Sequence, residues 1–353
     1  AAALPVRAAN IAPLGTGLLG SNDATINDAG SSHFATGTLA NIRDGNLTTR
    51  VDNYQTNQAA NVNGFVGISW ATARMDVVKS LTLTMACFVD GGWFGNQECP
   101  ARSRPLTPEM LVAPVVQVST NLTAWTTVPA TVNYVSAFNG HIIAGDNTPT
   151  SHAFNITLPQ WQTGIRGIRI IGSTGGYGDG NGFLGIFELE VNADAITDTD
   201  ADGMDDAWEA ANGLAAGTND GSLDADSDGL TNVLEFRWQT NPQVTDSDGD
   251  GLTDGPEHTA HLTWPVAADT DGDSLSDAAE INAHSTNPLV ADTDGDGLTD
   301  AAEINTHLTT ATSRDSDGDG FSDGREIQLA TDPLTAASRP PDAARAGTAI
   351  LGT

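Results

Sequence analysis

Residues 292–303 read Asp292-Thr293-Asp294-Gly295-Asp296-Gly297-Leu298-Thr299-Asp300-Ala301-Ala302-Glu303. Carboxylates stand at the first, third, fifth, ninth and twelfth places, and glycine at the sixth permits a sharp turn between them. With the backbone carbonyl of the seventh place, such a loop offers a ring of hard oxygen donors. Calcium takes six to eight oxygens at about 2.3–2.6 Å, whereas magnesium prefers to keep its waters. Zinc would want His or Cys. The stretch therefore predicts a calcium loop with Asp292, Asp294, Asp296, Leu298, Asp300 and Glu303 as ligands.

Outward from this stretch the pattern recurs. Loops begin at Asp198, Asp224, Asp246, Asp269, Asp292 and Asp315, in steps of 26, 22, 23, 23 and 23 residues. A fixed period of this length is one structural unit repeated. The first two predicted ligand sets are Asp198, Asp200, Asp202, Met204, Asp206, Glu209 and Asp224, Asp226, Asp228, Leu230, Asn232, Glu235. The third and fourth are Asp246, Asp248, Asp250, Leu252, Asp254, Glu257 and Asp269, Asp271, Asp273, Leu275, Asp277, Glu280. The sixth is Asp315, Asp317, Asp319, Phe321, Asp323 and Glu326. Two loops depart from the pattern. Asn232 replaces a carboxylate but still offers an oxygen. Ser274 stands where glycine is expected, so that turn needs a left-handed serine or a different shape. The fourth site is accordingly expected to be the weakest.

The charge count supports this reading. The 353-residue chain carries a net charge of -32, and 29 of its 46 acidic residues fall at those ligand places. The other 17 nearly balance 14 Lys and Arg, so almost all the excess charge sits in the loops. Between Asp194 and Ser338 there is no lysine, and the only arginines are Arg237, Arg314 and Arg325. Such a segment repels itself unless something neutralises it, and it offers nothing to nucleic acid. No apolar run reaches the roughly 18 residues of a membrane-spanning helix. The start, Ala1-Ala2-Ala3-Leu4-Pro5, has the small residues left by a signal peptidase, which predicts an extracellular or cell-surface location. In that setting Cys87 and Cys99 either pair or leave Cys87 buried on a strand face, in phase with Leu81, Leu83 and Met85.

The seventh place is apolar in all six loops, and the eighth is polar: Asp205, Thr231, Thr253, Ser276, Thr299 and Ser322. This arrangement resembles the thrombospondin type 3 repeat of bacterial surface proteins. The spacers Thr240-Asn241-Pro242, Thr286-Asn287-Pro288 and Thr331-Asp332-Pro333 also resemble that family's. The resemblance implies a chain wrapped around a file of about six calcium ions, with short helices after the loops. The few apolar residues per repeat point the same way, since they cannot offset the chain entropy of 23 ordered residues. His261, His284 and His307, four residues after Glu257, Glu280 and Glu303, read as packing or capping residues.

Before Asp194 the grammar changes to short alternating segments, among them Ser80–Val89, Val115–Ser119, Ala153–Leu158, Gly167–Ile171 and Phe183–Val191. These predict a mainly β, antiparallel sandwich or barrel. Asp44-Gly45-Asn46, Thr48-Thr49-Arg50, Asp90-Gly91-Gly92-Trp93-Phe94, Gly167-Ile168-Arg169-Ile170-Ile171 and Phe187-Glu188-Leu189-Glu190-Val191 resemble the discoidin, or coagulation factor 5/8 type C, class of galactose-binding-like domains. That resemblance implies an eight-stranded jelly roll and one further calcium at Asp44, Asn46, Thr49 and Glu188. The alternative for Asp44 and Asn46 is a turn that bonds its own backbone. It also implies a glycan, protein or lipid ligand at the loops, with Trp93, Phe94, Tyr177 and His141 as candidate contacts; Trp93 reads equally well as a core residue. The expected organisation is an extension over 1–8, a sandwich over 9–193, six repeats over 194–337 and a tail over 338–353.

No nucleophile elbow, HExxH, phosphate loop or CxxC occurs, so the chain is expected not to be an enzyme. Three roles fit: an adhesive or structural subunit able to polymerise with itself as calcium-stabilised fibres, a carbohydrate-binding module on a calcium-stiffened spacer, and a docking scaffold. The seventh-place hydrophobe and the number of loops argue against the last.

Overall fold

The computed structural model describes residues 9–21, 24–25, 39–45, 51–52, 63–87, 94–95, 106, 108, 111–140, 150–173 and 184–339. By contacts, the chain divides into two compact units: Ala1–Gly221 with Phe236–Trp238, and Ser222–Glu235 with Gln239–Thr353.

The first unit contains a sandwich of two antiparallel sheets. One consists of β1 (Ala9–Asn10), β12 (Gly185–Asp194), β6 (Val77–Cys87), β10 (Thr150–Gln162) and β9 (Thr131–Val132) in that order, with β4 (Val51–Asp52) also on β12. The other runs β3 (Ala24–Thr25), β2 (Thr16–Ser21), β5 (Asn63–Arg74), β11 (Ile165–Ser173), β7 (Val115–Ser119) and β8 (Thr126–Val128). Among the described residues, eight strands are three residues or longer and four are two-residue pairings at the edges.

Period-two patterning explains these strands. Along β6, Leu81, Leu83 and Met85 are buried while Thr82 and Thr84 are half-exposed. Leu83 faces Phe154 on one neighbour and Leu189 on the other, all three shut off from solvent. In the second sheet Ile168 pairs with Ile68 and Val118, and Ile170 with Val66 and Val116. The inner faces of the two sheets form one apolar cluster reaching from Ile11 to Ala193, which takes nothing from the repeats.

Phe94 belongs to this core, which corrects its expected role as an exposed platform. It is fully buried, edge-on to Tyr134 at 5.9 Å, with Phe138 and Phe154 packed on the far side of that tyrosine. The Phe94 N–H donates to the Tyr134 hydroxyl at 2.9 Å, and that hydroxyl donates to the Phe94 carbonyl at 2.6 Å.

The repeats follow another logic. Every helix starts at the ninth loop place (Asp206, Asn232, Asp254, Asp277, Asp300, Asp323), and the polar eighth residue is its N-cap, in extended conformation. The Ser276, Thr299 and Ser322 side chains accept the N–H three residues on. Capping thus accounts for the polar eighth place in these three loops, while the Asp205, Thr231 and Thr253 side chains make no such bond. In the third to fifth repeats the helix widens into a π turn headed by the twelfth-place glutamate: Glu257–His261, Glu280–His284 and Glu303–His307. The histidines therefore close these turns.

Tyr134→Phe would leave a buried N–H and carbonyl of Phe94 unpaired. It should destabilise the sandwich by about 1–3 kcal/mol, read by denaturant unfolding in calcium; unchanged stability would contradict the packing described.

Candidate metal centres

Each loop is first organised by its own backbone. Asp292 Oδ1 accepts the Gly295 N–H at 2.8 Å, and its Oδ2 accepts the Gly297 N–H at 2.9 Å. The fourth loop keeps this arrangement. Ser274 adopts a left-handed φ of +83° and its N–H reaches Asp269 Oδ2 at 2.9 Å, so the turn is strained but not reshaped. The fourth place is left-handed as well, glycine in four loops but Ala201 (φ +65°) and Ser227 (φ +67°) in the first two.

The third and fifth aspartates divide their oxygens. Asp294 Oδ1 accepts the Asp296 N–H at 3.1 Å, and Asp296 Oδ1 accepts the Leu298 N–H at 2.9 Å. Asp296 Oδ2 then accepts the Gly324 N–H of the following repeat at 2.5 Å. Asp228 with Gly255 (3.1 Å), Asp250 with Ala278 (2.8 Å) and Asp273 with Ala301 (2.7 Å) repeat this link. After the last loop Arg339 replaces the next repeat, its Nε 3.2 Å from Asp319 Oδ2. From the second loop to the fifth, the fifth aspartate therefore joins a repeat to its successor, whereas Asp202 of the first loop accepts the Asp220 and Gly221 N–H groups at 3.2 and 2.9 Å.

The ninth place closes the loop, a role the sequence reading did not assign to it. Asp300 accepts the Thr293 N–H at 2.9 Å and the Thr293 hydroxyl at 2.7 Å. The same pair of bonds joins Asp206 to Thr199, Asp254 to Ser247, Asp277 to Thr270 and Asp323 to Ser316. Only the second loop has alanine at the second place, and there Asn232 Oδ1 accepts the Ala225 N–H at 3.2 Å. With no hydroxyl to accept, one amide oxygen suffices. The two substitutions explain each other.

The twelfth place is also shared. Thr263, Thr286 and Thr309 hydroxyls donate to Oε1 of Glu257, Glu280 and Glu303 at 3.1, 3.1 and 3.0 Å, and Thr331 to Glu326 at 3.3 Å. The spacer residues Thr286 and Thr331 thus steady a twelfth-place glutamate, whereas Thr240 does not.

After this accounting, each loop retains oxygens that are buried and without a hydrogen-bond partner. They are Oδ2 of the third-place aspartate (both oxygens of Asp200) and Oε2 of the twelfth-place glutamate (both oxygens of Glu209 and Glu235). All six of those glutamates are fully buried. The first-, third- and fifth-place aspartates bring ligand atoms within 4.8 Å of one another in loops such as Asp246–Asp250. Burial, then neighbouring carboxylates, pushes Glu235, Glu257 and Glu280 up to about 8, and Glu209 up to about 7. An unpaired buried anion costs several kcal/mol, so the residues of these clusters fit a cation. An all-oxygen donor set fits a hard ion such as calcium.

In the first loop the structure adds Asp220, whose carboxylate lies within 4.8 Å of Asp202 and Glu209. Asp220 stands four residues before the next loop, where later repeats carry Pro242, Pro265 and Pro288. That departure was the available signal.

In the sandwich, Glu188 is buried and its Oε2 accepts the Gly45 N–H at 2.8 Å, which brings it to the Asp44–Gly45 turn. Asn46, Thr49, Trp93, His141, Tyr177 and Cys99 lie outside the described residues, as does the side chain of Cys87.

Residues 246–261, 269–291, 292–307 and 315–336 match the bacterial TSP3 repeat, a calcium-binding repeat. The loops at Asp198 and Asp224 fall outside those ranges. No curated protein matches the chain. Similar solved structures include one from work on the Streptococcus pneumoniae β-galactosidase BgaA, at 14% identity and TM-score 0.30, covering 51% of this chain and 99% of that one. Another is CBM32-3 of a family 31 glycoside hydrolase from Clostridium perfringens, at 17% identity and TM-score 0.24, covering 46% and 86%. Discoidin II from Dictyostelium discoideum gives 10% identity and TM-score 0.27, covering 56% and 62%. The sandwich itself is established by its own strand pairing.

Two outcomes follow. Ser274→Gly should relieve the left-handed serine and stabilise the calcium-loaded array by roughly 0.5–1 kcal/mol, seen as a higher unfolding midpoint; no change would place the fourth loop's strain elsewhere. The pH dependence should reverse with calcium. The glutamate carboxyls are raised above 4.5 in the cation-free fold, so their contribution is fully present below that value and fades as pH rises through 7 to 8. In chelator the array should therefore be more ordered at low pH, and in calcium at high pH, where protons no longer compete for the ligands. Circular dichroism of both series would check this, and parallel slopes would contradict it.

Proposed function

We propose that this chain is a secreted, non-catalytic calcium-binding protein with a structural or adhesive role, in which a β-sandwich over 9–193 precedes six calcium repeats over 194–337. The observation that carries the reading is the recurrence, in all six loops, of buried carboxylate oxygens with no protein partner. At extracellular dissociation constants of about 0.1–1 mM and about 2 mM calcium, each site contributes roughly 0.6–1.8 kcal/mol. Six sites together decide whether the array is folded. Among the described residues no helix is long and apolar enough to cross a membrane.

The repeats also suit self-assembly into calcium-stabilised fibres. From the second repeat to the fifth, each joins the next through a fifth-place carboxylate, and the last such group, Asp319, is met by the exposed Arg339. A head-to-tail contact between copies would give an open filament unless its rotation closes. A second reading, a carbohydrate-binding module carried on a calcium-stiffened spacer, is favoured by a cavity on the sandwich lined by Phe65, Trp125 and Gln117.

Negative-stain imaging with sedimentation, in about 2 mM calcium and then in excess EDTA, separates the two. Polymers that fall apart on chelation are expected for the fibre. Monodisperse particles in calcium would reject polymerisation and leave the binding module.

A further inference from the structure

The first loop differs from the other five in how it is closed. The step from it to the second loop is 26 residues, against 22 or 23 elsewhere, and the extra chain is strapped back across the loop. Asn219 Nδ2 donates to the carbonyls of Asp200 and Ala201 at 3.3 and 3.4 Å. The Asp220 and Gly221 N–H groups donate to Asp202 Oδ2 at 3.2 and 2.9 Å. Asp202 thus gives this strap the oxygen that the second to fifth loops give to the following repeat. Gly221 permits the close approach, since a Cβ there would come within 2.9 Å of the Asp202 carbonyl oxygen and 3.2 Å of its carboxylate.

The strap carries a carboxylate to a place already rich in buried oxygens. Ligand atoms of Asp202, Glu209 and Asp220 lie within 4.8 Å of one another. Glu209 is fully buried, and neither of its carboxylate oxygens has a hydrogen-bond partner; both oxygens of Asp200 are buried and unpartnered as well. In the third to fifth loops only two such atoms remain, one on the third-place aspartate and one on the glutamate, because a threonine hydroxyl takes the other glutamate oxygen. Leu214 explains the difference. Its N–H donates to the Glu209 carbonyl at 2.9 Å, as the Thr331 N–H does to the Glu326 carbonyl at 3.0 Å, but leucine has no hydroxyl to offer the carboxylate.

We propose that Asp220 is a ligand of the calcium ion in the first loop and makes that site the tightest of the six. Calcium affinity follows the number of charged ligands and the rigidity of the site. The first loop brings five carboxylates to the ion, from Asp198, Asp200, Asp202, Glu209 and Asp220. The third to fifth loops bring four, and in all of these loops the ninth-place aspartate is committed to a second-place hydroxyl. The strap fixes the fifth carboxylate before the ion arrives, so less order is lost on binding. The first site then stays loaded at calcium concentrations that empty the later ones. The inference rests on the calcium reading of the six loops and adds a ligand from outside the twelve-residue frame and an order of filling.

The test is a calcium titration of the full chain against a competing chromophoric chelator, which reads the number of ions bound and the affinity of each class. One ion should bind more tightly than the rest. Asp220→Asn, which keeps the backbone bonds of the strap, should weaken that ion by about tenfold or more and move it into the common class, with the other sites unchanged. Gly221→Ala removes no carboxylate but pushes the strap off Asp202, and it should weaken the same ion. Should Asp220→Asn fail to fold, Gly221→Ala still decides the matter. Six equal sites, or a tight site that neither variant weakens, would overturn the inference and leave the six-loop reading standing. No calcium bound at all would overturn that reading together with the inference.

Discussion

The repeat array depends on one constraint: carboxylates that are buried, crowded and denied hydrogen bonds have to share a cation. In the second to fifth loops the backbone satisfies the first-place aspartate and half of the third, a second-place residue bonds the ninth, and the fifth is shared with the next repeat. What remains is a third-place and a twelfth-place oxygen with nothing to accept. The surrounding bonds place those two atoms where one cation could accept both. The sandwich is held differently: its inner faces bury a continuous apolar cluster.

The two kinds of stabilisation give the chain different sensitivities. Apolar burial in the sandwich contributes about 1.5–3 kcal/mol for each large side chain and is indifferent to calcium. The array draws its stability from mass action, so it follows the free calcium concentration. The fifth-place aspartates make this cooperative: one oxygen shapes its own loop and the other holds the helix start of the next repeat. Loss of one ion therefore weakens a neighbour as well as its own loop.

Much of this was legible in the sequence because calcium ligation imposes a fixed register. The six loop starts, the acidic clusters and the departure at Ser274 could all be read from spacing. Less visible were roles that arise from pairing within a repeat, such as the bond from Ala225 to Asn232, or from Thr286 to the twelfth-place Glu280. Asp220 was missed because it reaches the first loop from outside its twelve residues. In the sandwich, alternation located β6, β7, β10, β11 and β12, but the glycine-rich β2 and β5 carried too weak a signal. Phe94 shows the limit of the method: an aromatic beside glycines reads as a loop platform, and only packing against Tyr134 reveals a core residue. Arg169 was quoted as part of a strand motif, yet its place between the Phe65 and Trp125 rings depends on a loop about 45 residues earlier in the chain, beyond the reach of local pattern.

The most direct test of the central claim is amide hydrogen exchange on the whole chain, with saturating calcium and after chelation. The account predicts that amides across residues 240–337 lose their protection when calcium is removed, while those of β5, β6, β10, β11 and β12 keep theirs. Equal protection of the array in both conditions would contradict it, because the buried carboxylates would then be stable without a cation.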